Sequence, residues 1–370
     1  MSKQLRIWLF VLLGTLLTST ALLAEGVITM TTSERVGEEI GLSIKANGNV
    51  AIEGAQETGK TDKFDRESYR LTSQTITIRG DVTELGCYNN QLTSLDLSKS
   101  TVLTWLWCSG NQLTSLDLSN NTALTTLGCS NNQLTSLNVS KNTALTGLDC
   151  SDNRLTSLNV SKNTSLTELD CNGNQLTSLN VSNNTALTSL YCFNNQLTSL
   201  DVSKNTALTS LVCSNNRLTN LDVSKNIALT ELVCFENELT SLDVSKNIAL
   251  TELVCFENEL TSLDVSKNTA LNWLRCNDNK LTSLNLSGCT RLVTLYCYSN
   301  CINGKAMTKL VNSLPNRRGM RPGTLFVVDR SSEKRDRNRC SAADVTTAKK
   351  KNWKVLKKQG SYDWVSYSGD

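Results

Sequence analysis

Eleven of the fourteen cysteines, Cys87, Cys108, Cys129, Cys150, Cys171, Cys192, Cys213, Cys234, Cys255, Cys276 and Cys297, recur at one fixed interval without a slip. Sulfur at fixed spacing could pair into disulfides or hold a metal. Neither suits this row. Strands stacked in register put neighbouring Cα atoms ~4.8 Å apart, yet their parallel Cβ vectors do not converge to the ~3.8 Å that a bridge prefers. Eleven is also odd, so complete pairing fails. A buried free thiol packs as a small hydrophobe, and this is the role the row predicts. Cys289, Cys301 and Cys340 lie off the column, where a Cys301–Cys340 bridge could pin the C-terminal end to the repeat, a pairing the sequence leaves open. A four-sulfur zinc site with Cys297 is the weaker reading, because no Cys-x-x-Cys pair pre-forms it.

Carboxylates are the other candidate chemistry. Glu236 with Glu238, and Glu257 with Glu259, stand one repeat apart, a separation near that of a retaining glycosidase pair. Residues 226–246 and 247–267 are identical, however. Copied surroundings give similar pKa values, whereas a catalytic pair needs them split. There is no histidine, which removes Ser-His-Asp and Cys-His nucleophiles and every His-ligated metal site. No calcium loop motif accompanies the acidic residues. The sequence therefore predicts no catalytic residue, no metal, no cofactor and no enzyme.

The elements that position these side chains follow from the period. Each unit reads Leu-x-x-Leu-x-Cys-x-x-Asn-x-Leu, as in Leu124-Thr-Thr-Leu127-Gly-Cys129-Ser-Asn-Asn132-Gln-Leu134. Leu127 and Cys129 are two apart, the strand period, so both point inward and their neighbours point out. A coil this short cannot bury its apolar side alone; stacking turns the leucines into a column. One asparagine ladder runs from Asn90 to Asn300. A second runs from Asn121 to Asn268 and becomes Ser100 and Cys289 at the ends. Amides there can bond backbone groups that no strand satisfies. The fold class is an α/β-type leucine-rich repeat solenoid of about eleven coils, with a parallel sheet about 48 Å long, a small β N-terminal cap and an αβ C-terminal cap.

Units of this kind, with cysteine in the place of a strand leucine, resemble the bacterial leucine-rich repeat proteins of the internalin J type over residues 81 to 302. The resemblance implies an exported adhesin that binds a host or surface glycoprotein through its sheet face, with links to virulence and biofilm formation.

Variation along the coils locates the candidate surface. The second half of each unit is monotonous, a row of Ser beside a row of Asp or Asn from Asp96 to Asn285. The cysteine strand differs. All ten aromatic residues between 81 and 300 lie three before, one before or one after a ladder cysteine: Tyr88, Trp105, Trp107, Tyr191, Phe193, Phe235, Phe256, Trp273, Tyr296 and Tyr298. Odd offsets point away from the core, and rings exposed in rows suggest recognition. Asp149, Glu168, Asp170, Glu231, Glu252 and Arg275 are interleaved with them, the mixture of apolar anchor and charge that interfaces use. The expected partner-binding set is these six with Trp105, Trp107, Tyr191, Phe193, Phe235, Phe256, Trp273, Tyr296 and Tyr298. The competing reading is that rings along a sheet cover their neighbours or cap its edges.

The ends complete the organisation. Lys3 and Arg6 precede an apolar run from Ile7 to Leu23, with cleavage expected at Ala21 or Ala24, so residues 1–24 read as a secretory signal. Residues 25–80 read as the N-terminal β cap, with a hairpin about Asn47-Gly48 between Leu42–Lys45 and Val50–Glu53. Thr75–Gly80 is expected to lead the cap into the sheet of the first coil. Residues 81–302 are the solenoid and 303–370 the C-terminal cap: helix from Lys305 to Leu314, strand from Thr324 to Val328, helix from a capping box at Ser341 and Asp344 to Lys351, then strand from Trp353.

The formal net charge of +3 conceals an asymmetry, since residues 301–370 hold 16 Lys/Arg against 6 Asp/Glu and residues 1–300 hold 21 against 28. The basic run Lys349–Lys351 lacks a stacking platform, so no nucleic-acid partner is expected. The chain reads as an exported, non-enzymatic binder of a host or bacterial surface protein or glycoprotein, with no transmembrane segment after signal cleavage. A self-associating envelope or biofilm-matrix protein is the alternative, and a carboxylate-based polysaccharide hydrolase is third.

Overall fold

A computed structural model describes residues 26–331, 336–360 and 363–370. The expected export signal lies outside these residues.

The solenoid strands are three residues long, because only the segment before each cysteine is extended and pairs with its neighbours. They are β9 (Trp105–Trp107), β10 (Thr126–Gly128), β11 (Gly147–Asp149), β12 (Glu168–Asp170), β13 (Ser189–Tyr191), β14 (Ser210–Val212), β15 (Glu231–Val233), β16 (Glu252–Val254), β17 (Trp273–Arg275) and β18 (Thr294–Tyr296). Each pairs in parallel with the strand of the next coil, leucine beside leucine, from Leu106–Leu127 to Leu274–Leu295. β7 (Val82–Gly86) starts the stack, with Leu85 beside Leu106. Inside the coils the leucines and ladder cysteines are almost completely excluded from solvent. The rest of each coil is turn and extended chain without helix.

Each coil leaves its strand through a residue of positive φ two places after the cysteine, from Asn89 (54°) through Asn131 (52°) and Asp152 (49°) to Ser299 (51°). Glycine fills this position at Gly110 and Gly173, and Asn and Asp tolerate it, but Glu236 and Glu257 are forced into it at 51°. The next residue is the ladder asparagine. Asn132 Nδ2 donates to the carbonyls of Cys108 (3.0 Å) and Cys129 (3.1 Å), while its Oδ1 accepts from the backbone N–H of Leu113 (3.0 Å). One amide thus ties three buried backbone groups across two coils.

The ladder continues into both caps. Asn90 bonds both backbone groups of Gly41. At the far end Asn338 supplies a further rung, donating to the Cys297 and Val327 carbonyls (2.8 and 2.9 Å) and accepting from Ile302 N–H (2.8 Å).

The N-terminal strands are β1 (Val27–Thr32), β2 (Glu39–Ala46), β3 (Ala51–Glu53), β4 (Ala55–Thr61), β5 (Glu67–Leu71) and β6 (Thr75–Arg79). The expected Asn47-Gly48 hairpin does not form. β2 pairs with β5 and β7, whereas β3 pairs with β6, so the turn passes between two sheets. Gly41 in β2 is held by Asn90, and this long-range tie outweighs the local turn signal. The main sheet is therefore extended by β2, β5 and β4. β6 belongs to a separate four-stranded sheet with β3, β1 and the first coil's β8 (Leu92–Asp96), rather than joining the sheet of the cysteine strands as expected.

The C-terminal cap follows its sequence closely. α1 (Gly304–Ser313) buries Met307, Leu310 and Val311, and α2 (Ala342–Lys350) starts with the reciprocal Ser341–Asp344 capping box. β19 (Gly323–Asp329) and β20 (Trp353–Lys358) prolong the parallel sheet, and β21 (Trp364–Ser366) returns antiparallel along its edge.

All fourteen thiols are free, so the Cys301–Cys340 pairing that the sequence left open is not made. The reason is orientation. Cys340 packs in the core cluster, while Cys301 lines an outer groove with Lys280 and Arg337.

Candidate functional site

The outward positions of the cysteine strands form three parallel rows. The first runs Gly147, Glu168, Ser189, Ser210, Glu231, Glu252, Trp273 and Thr294, neighbours in that order. The second runs Asp149, Asp170, Tyr191, Val212, Val233, Val254, Arg275 and Tyr296. The third, just after the cysteines, carries Tyr88, Phe193, Phe235, Phe256 and Tyr298.

In-register stacking explains how the rings lie. Phe235 and Phe256, one coil apart in the duplicated units, stack with centroids 4.4 Å apart and planes at 8°. Trp105 and Trp107, two apart on one strand, stack at 5.7 Å and 28°. The Trp107 indole lies so close over Gly128 that a Cβ there would meet it at 2.7 Å. The rings consequently shield one another: of the ten, only Trp273 is exposed, and then to 38%, and the rest are half-buried.

Both ends of the row are covered by caps. Arg66 places its guanidinium 4.0 Å above Tyr88, with Phe64 at its edge. Tyr296 stacks on Phe326 at 3.9 Å, and Trp364 of β21 stands edge-on to both and tilts against Tyr298. Phe326 and Trp364 were not among the sequence candidates. The cue for Phe326 was its place in the strand Thr324–Val328; Trp364 had none.

The expected residues therefore fall into separate groups: Trp105 with Trp107 near one end; Asp149, Glu168 and Asp170 beside Tyr191 and Phe193; and Glu231, Phe235, Glu252, Phe256, Trp273, Arg275, Tyr296 and Tyr298 toward the other end. Val212 lies between the last two and, with Val233 and Val254 of the third group's own strands, makes an apolar strip that composition at the same outward offset could have revealed.

Charge on this face is tuned by burial. Asp170 is pushed up to about 6 by burial, against the pull of hydrogen bonds from Asn172, with Asp149 and Asp152 adding repulsion. Glu252 is raised by burial and then by Glu231 beside it, while Arg275 opposes the shift. Arg275 lies 4.4 Å over the Phe256 ring and 5.1 Å from that of Tyr296. Its Nε is buried without a hydrogen-bond partner among the described residues.

The opposite side has spent its polar atoms on turns. Asp117, Asn138, Asp201 and their counterparts accept from the backbone N–H two residues on, at 2.8 to 3.1 Å, and Asp96, Asp117, Asp201, Asp222, Asp243 and Asp264 are held below the usual carboxylate range mainly by that bond. Glu236, Glu238, Glu257 and Glu259, the weighed catalytic pair and its copy, are exposed on the coil edge, and Glu259 pairs with Lys280.

A family model described as leucine-rich repeats, two copies, matches residues 185–226. The functional domain of InlJ from Listeria monocytogenes, described as including a cysteine ladder, is 30% identical over 77% of this chain and 75% of its own, with a TM-score of 0.47. The chain belongs to the leucine-rich repeat family. An internalin, InlF, of Listeria monocytogenes shares the fold at 22% identity over 75% of this chain and 81% of its own, TM-score 0.65. A leucine-rich repeat protein of Leptospira interrogans does so at 24% over 74% and 71%, TM-score 0.60. No curated protein matches the chain.

In this leucine-rich repeat chain the cysteine ladder is core. Burial pushes Cys87 and Cys213 up to about 12 and raises the thiols between them well above the ordinary value, with neighbouring sulfurs adding to the shift where they are close. They stay protonated at neutral pH, and a protonated thiol is neither a nucleophile nor a metal ligand.

Proposed function

We propose that this leucine-rich repeat protein is an exported, non-enzymatic adhesin that grips a host or bacterial surface protein or glycoprotein through the cysteine-strand face. The observation that carries this is the uneven placement of chemistry: stacked rings and carboxylates gather on the strand face, while the opposite polar row is occupied in closing turns. Large rings held flat by their neighbours have little conformational freedom left to lose, which favours tight contact. Export rests on the expected signal, and no helix among the described residues is long and apolar enough to cross a membrane.

The test is capture from mucosal and bacterial surface extracts by the chain and by its Trp105→Ala/Trp107→Ala/Trp273→Ala variant. Capture should fall at least tenfold in the variant, since truncated interface aromatics commonly cost about 2 kcal/mol or more each. Circular dichroism should be unchanged. Undiminished capture by a folded variant sinks the reading.

A further inference from the structure

The C-terminal cap gathers cations that no carboxylate pairs. The turn at 316–322 is fastened to the end of α2: Arg318 Nε donates to the Lys350 carbonyl (2.7 Å), and Asn352 Nδ2 donates to those of Arg317 (3.0 Å) and Met320 (2.9 Å). This brings Arg318, Arg321, Lys349 and Lys350 around Met320, all exposed, Met320 to 62%. The ion pairs of the cap lie elsewhere, at Arg330–Asp370 and Lys358–Asp329; none of the four knob cations forms one among the described residues. Like charges held together this way repel, and an anionic surface relieves them.

The same chain carries such a surface. Asp149, Glu168 and Asp170 stand on adjacent strands beside Tyr191 and Phe193. The sheet already seats guanidiniums of its own on rings near both ends, Arg66 over Tyr88 and Arg275 over Phe256, so cation-on-ring contact suits this face. Tyr191 and Phe193 have no such cation above them among the described residues.

We propose that the chain associates head to tail, the knob around Met320 of one copy docking on the Asp149–Asp170–Tyr191 region of the next. The occupant is a second copy because knob and receptor are complementary in sign and each offers an apolar centre, Met320 against the rings. Knob and receptor are different patches of one chain, so the contact either runs on from copy to copy or is made twice in a reciprocal pair, and both raise the mass. It shares the strand face with the partner-binding reading but does not rest on it.

Sedimentation velocity of the full chain over a concentration series tests this at about 50 mM and about 500 mM salt, between which surface charges become strongly screened. Mass should rise with concentration at low salt and return to monomer at high salt. Arg321→Glu/Lys349→Glu/Lys350→Glu touches exposed residues only and spares the Arg318 bond that fastens the turn, and it should be monomeric throughout. Asp149→Lys/Glu168→Lys should also be monomeric, and mixing the two variants should restore association, because their reversed charges complement each other. Wild-type chain that stays monomeric at low salt overturns the proposal, as does a knob variant that associates normally. Monomeric wild-type chain that binds short polyphosphate through the knob would assign it to a foreign polyanion instead.

Discussion

Asp170 carries a charge on a face that does not solvate it well. Its carboxyl titrates at about 6 in the folded chain, above its ordinary value of 3.8, so the native state holds this proton more tightly than the unfolded chain does. The sign follows: its contribution is neutral below about 4, turns unfavourable as pH rises through 6 and stays so above it. The six turn-closing aspartates from Asp96 to Asp264 have the opposite sign, because their depressed values give stability that is lost as pH falls below about 4. Asp170→Asn keeps an oxygen to accept from Asn172 and removes the charge. The variant should be more stable than wild type at pH 7.5, by about 1 kcal/mol after allowance for solvent screening. The gain should vanish near pH 4. Urea midpoints at the two pH values check this, and equal midpoints at pH 7.5 would contradict it.

At the scale of the element, the two asparagine ladders look alike in sequence and differ in what they hold. Asn216 bonds four backbone groups: it accepts from Leu197 N–H and donates to the carbonyls of Cys192, Cys213 and Ser214. Asn205 donates to the carbonyls of Val181 and Asn184, but its Oδ1 is buried with no partner, as in every rung from Asn121 to Asn268. Cys289 shows what the second ladder tolerates, since its thiol donates alone to the Val265 carbonyl at 3.2 Å. Asn205→Cys should therefore cost less than about 1 kcal/mol, whereas Asn216→Cys strands a buried N–H and a carbonyl and should cost about 2 to 4 kcal/mol. Chemical denaturation of both variants in reductant separates the ladders, and equal losses would mean that the orphaned oxygen is worth as much as a bonded one. The ladder positions were legible in the constant spacing of the cysteines and asparagines, and so were α1 and α2, because Pro315 and the Ser341–Asp344 box act within a few residues. The placement of β2 was not, since its partners β5 and β7 are chosen by contacts between positions far apart in the chain, Ile40 beside Tyr69 and Ile44 beside Leu85. Nor could odd offsets disclose that the rings shield one another; that depends on the spacing between coils, which brings Phe235 onto Phe256 and Trp364 onto Phe326.

For the molecule as a whole, the repeat makes length a separable variable. Each coil contacts only its neighbours, and residues 247–267 repeat 226–246 letter for letter, so excising them joins Lys246 to Asn268 without altering the sequence on either side of the seam. Every ladder keeps its register: Glu231 meets Trp273, and Asn279, which accepted from Leu260 N–H and donated to the Cys255 carbonyl, finds the equivalent groups of Leu239 and Cys234 in their place. The shortened chain should unfold in one transition and lose about 4.8 Å of length. Small-angle scattering reads that shortening. The same operation moves Phe235 into the place of Phe256 beneath Arg275, so the cation-on-ring contact survives while the phenylalanine stack is lost. Excising only 247–256 instead also shortens the chain but leaves a truncated coil between β15 and β17, which breaks the stack there and should split unfolding into separate transitions. If both deletions behaved alike, the coil would not be the unit of this fold, and stability would reside in the caps rather than in the stack between them.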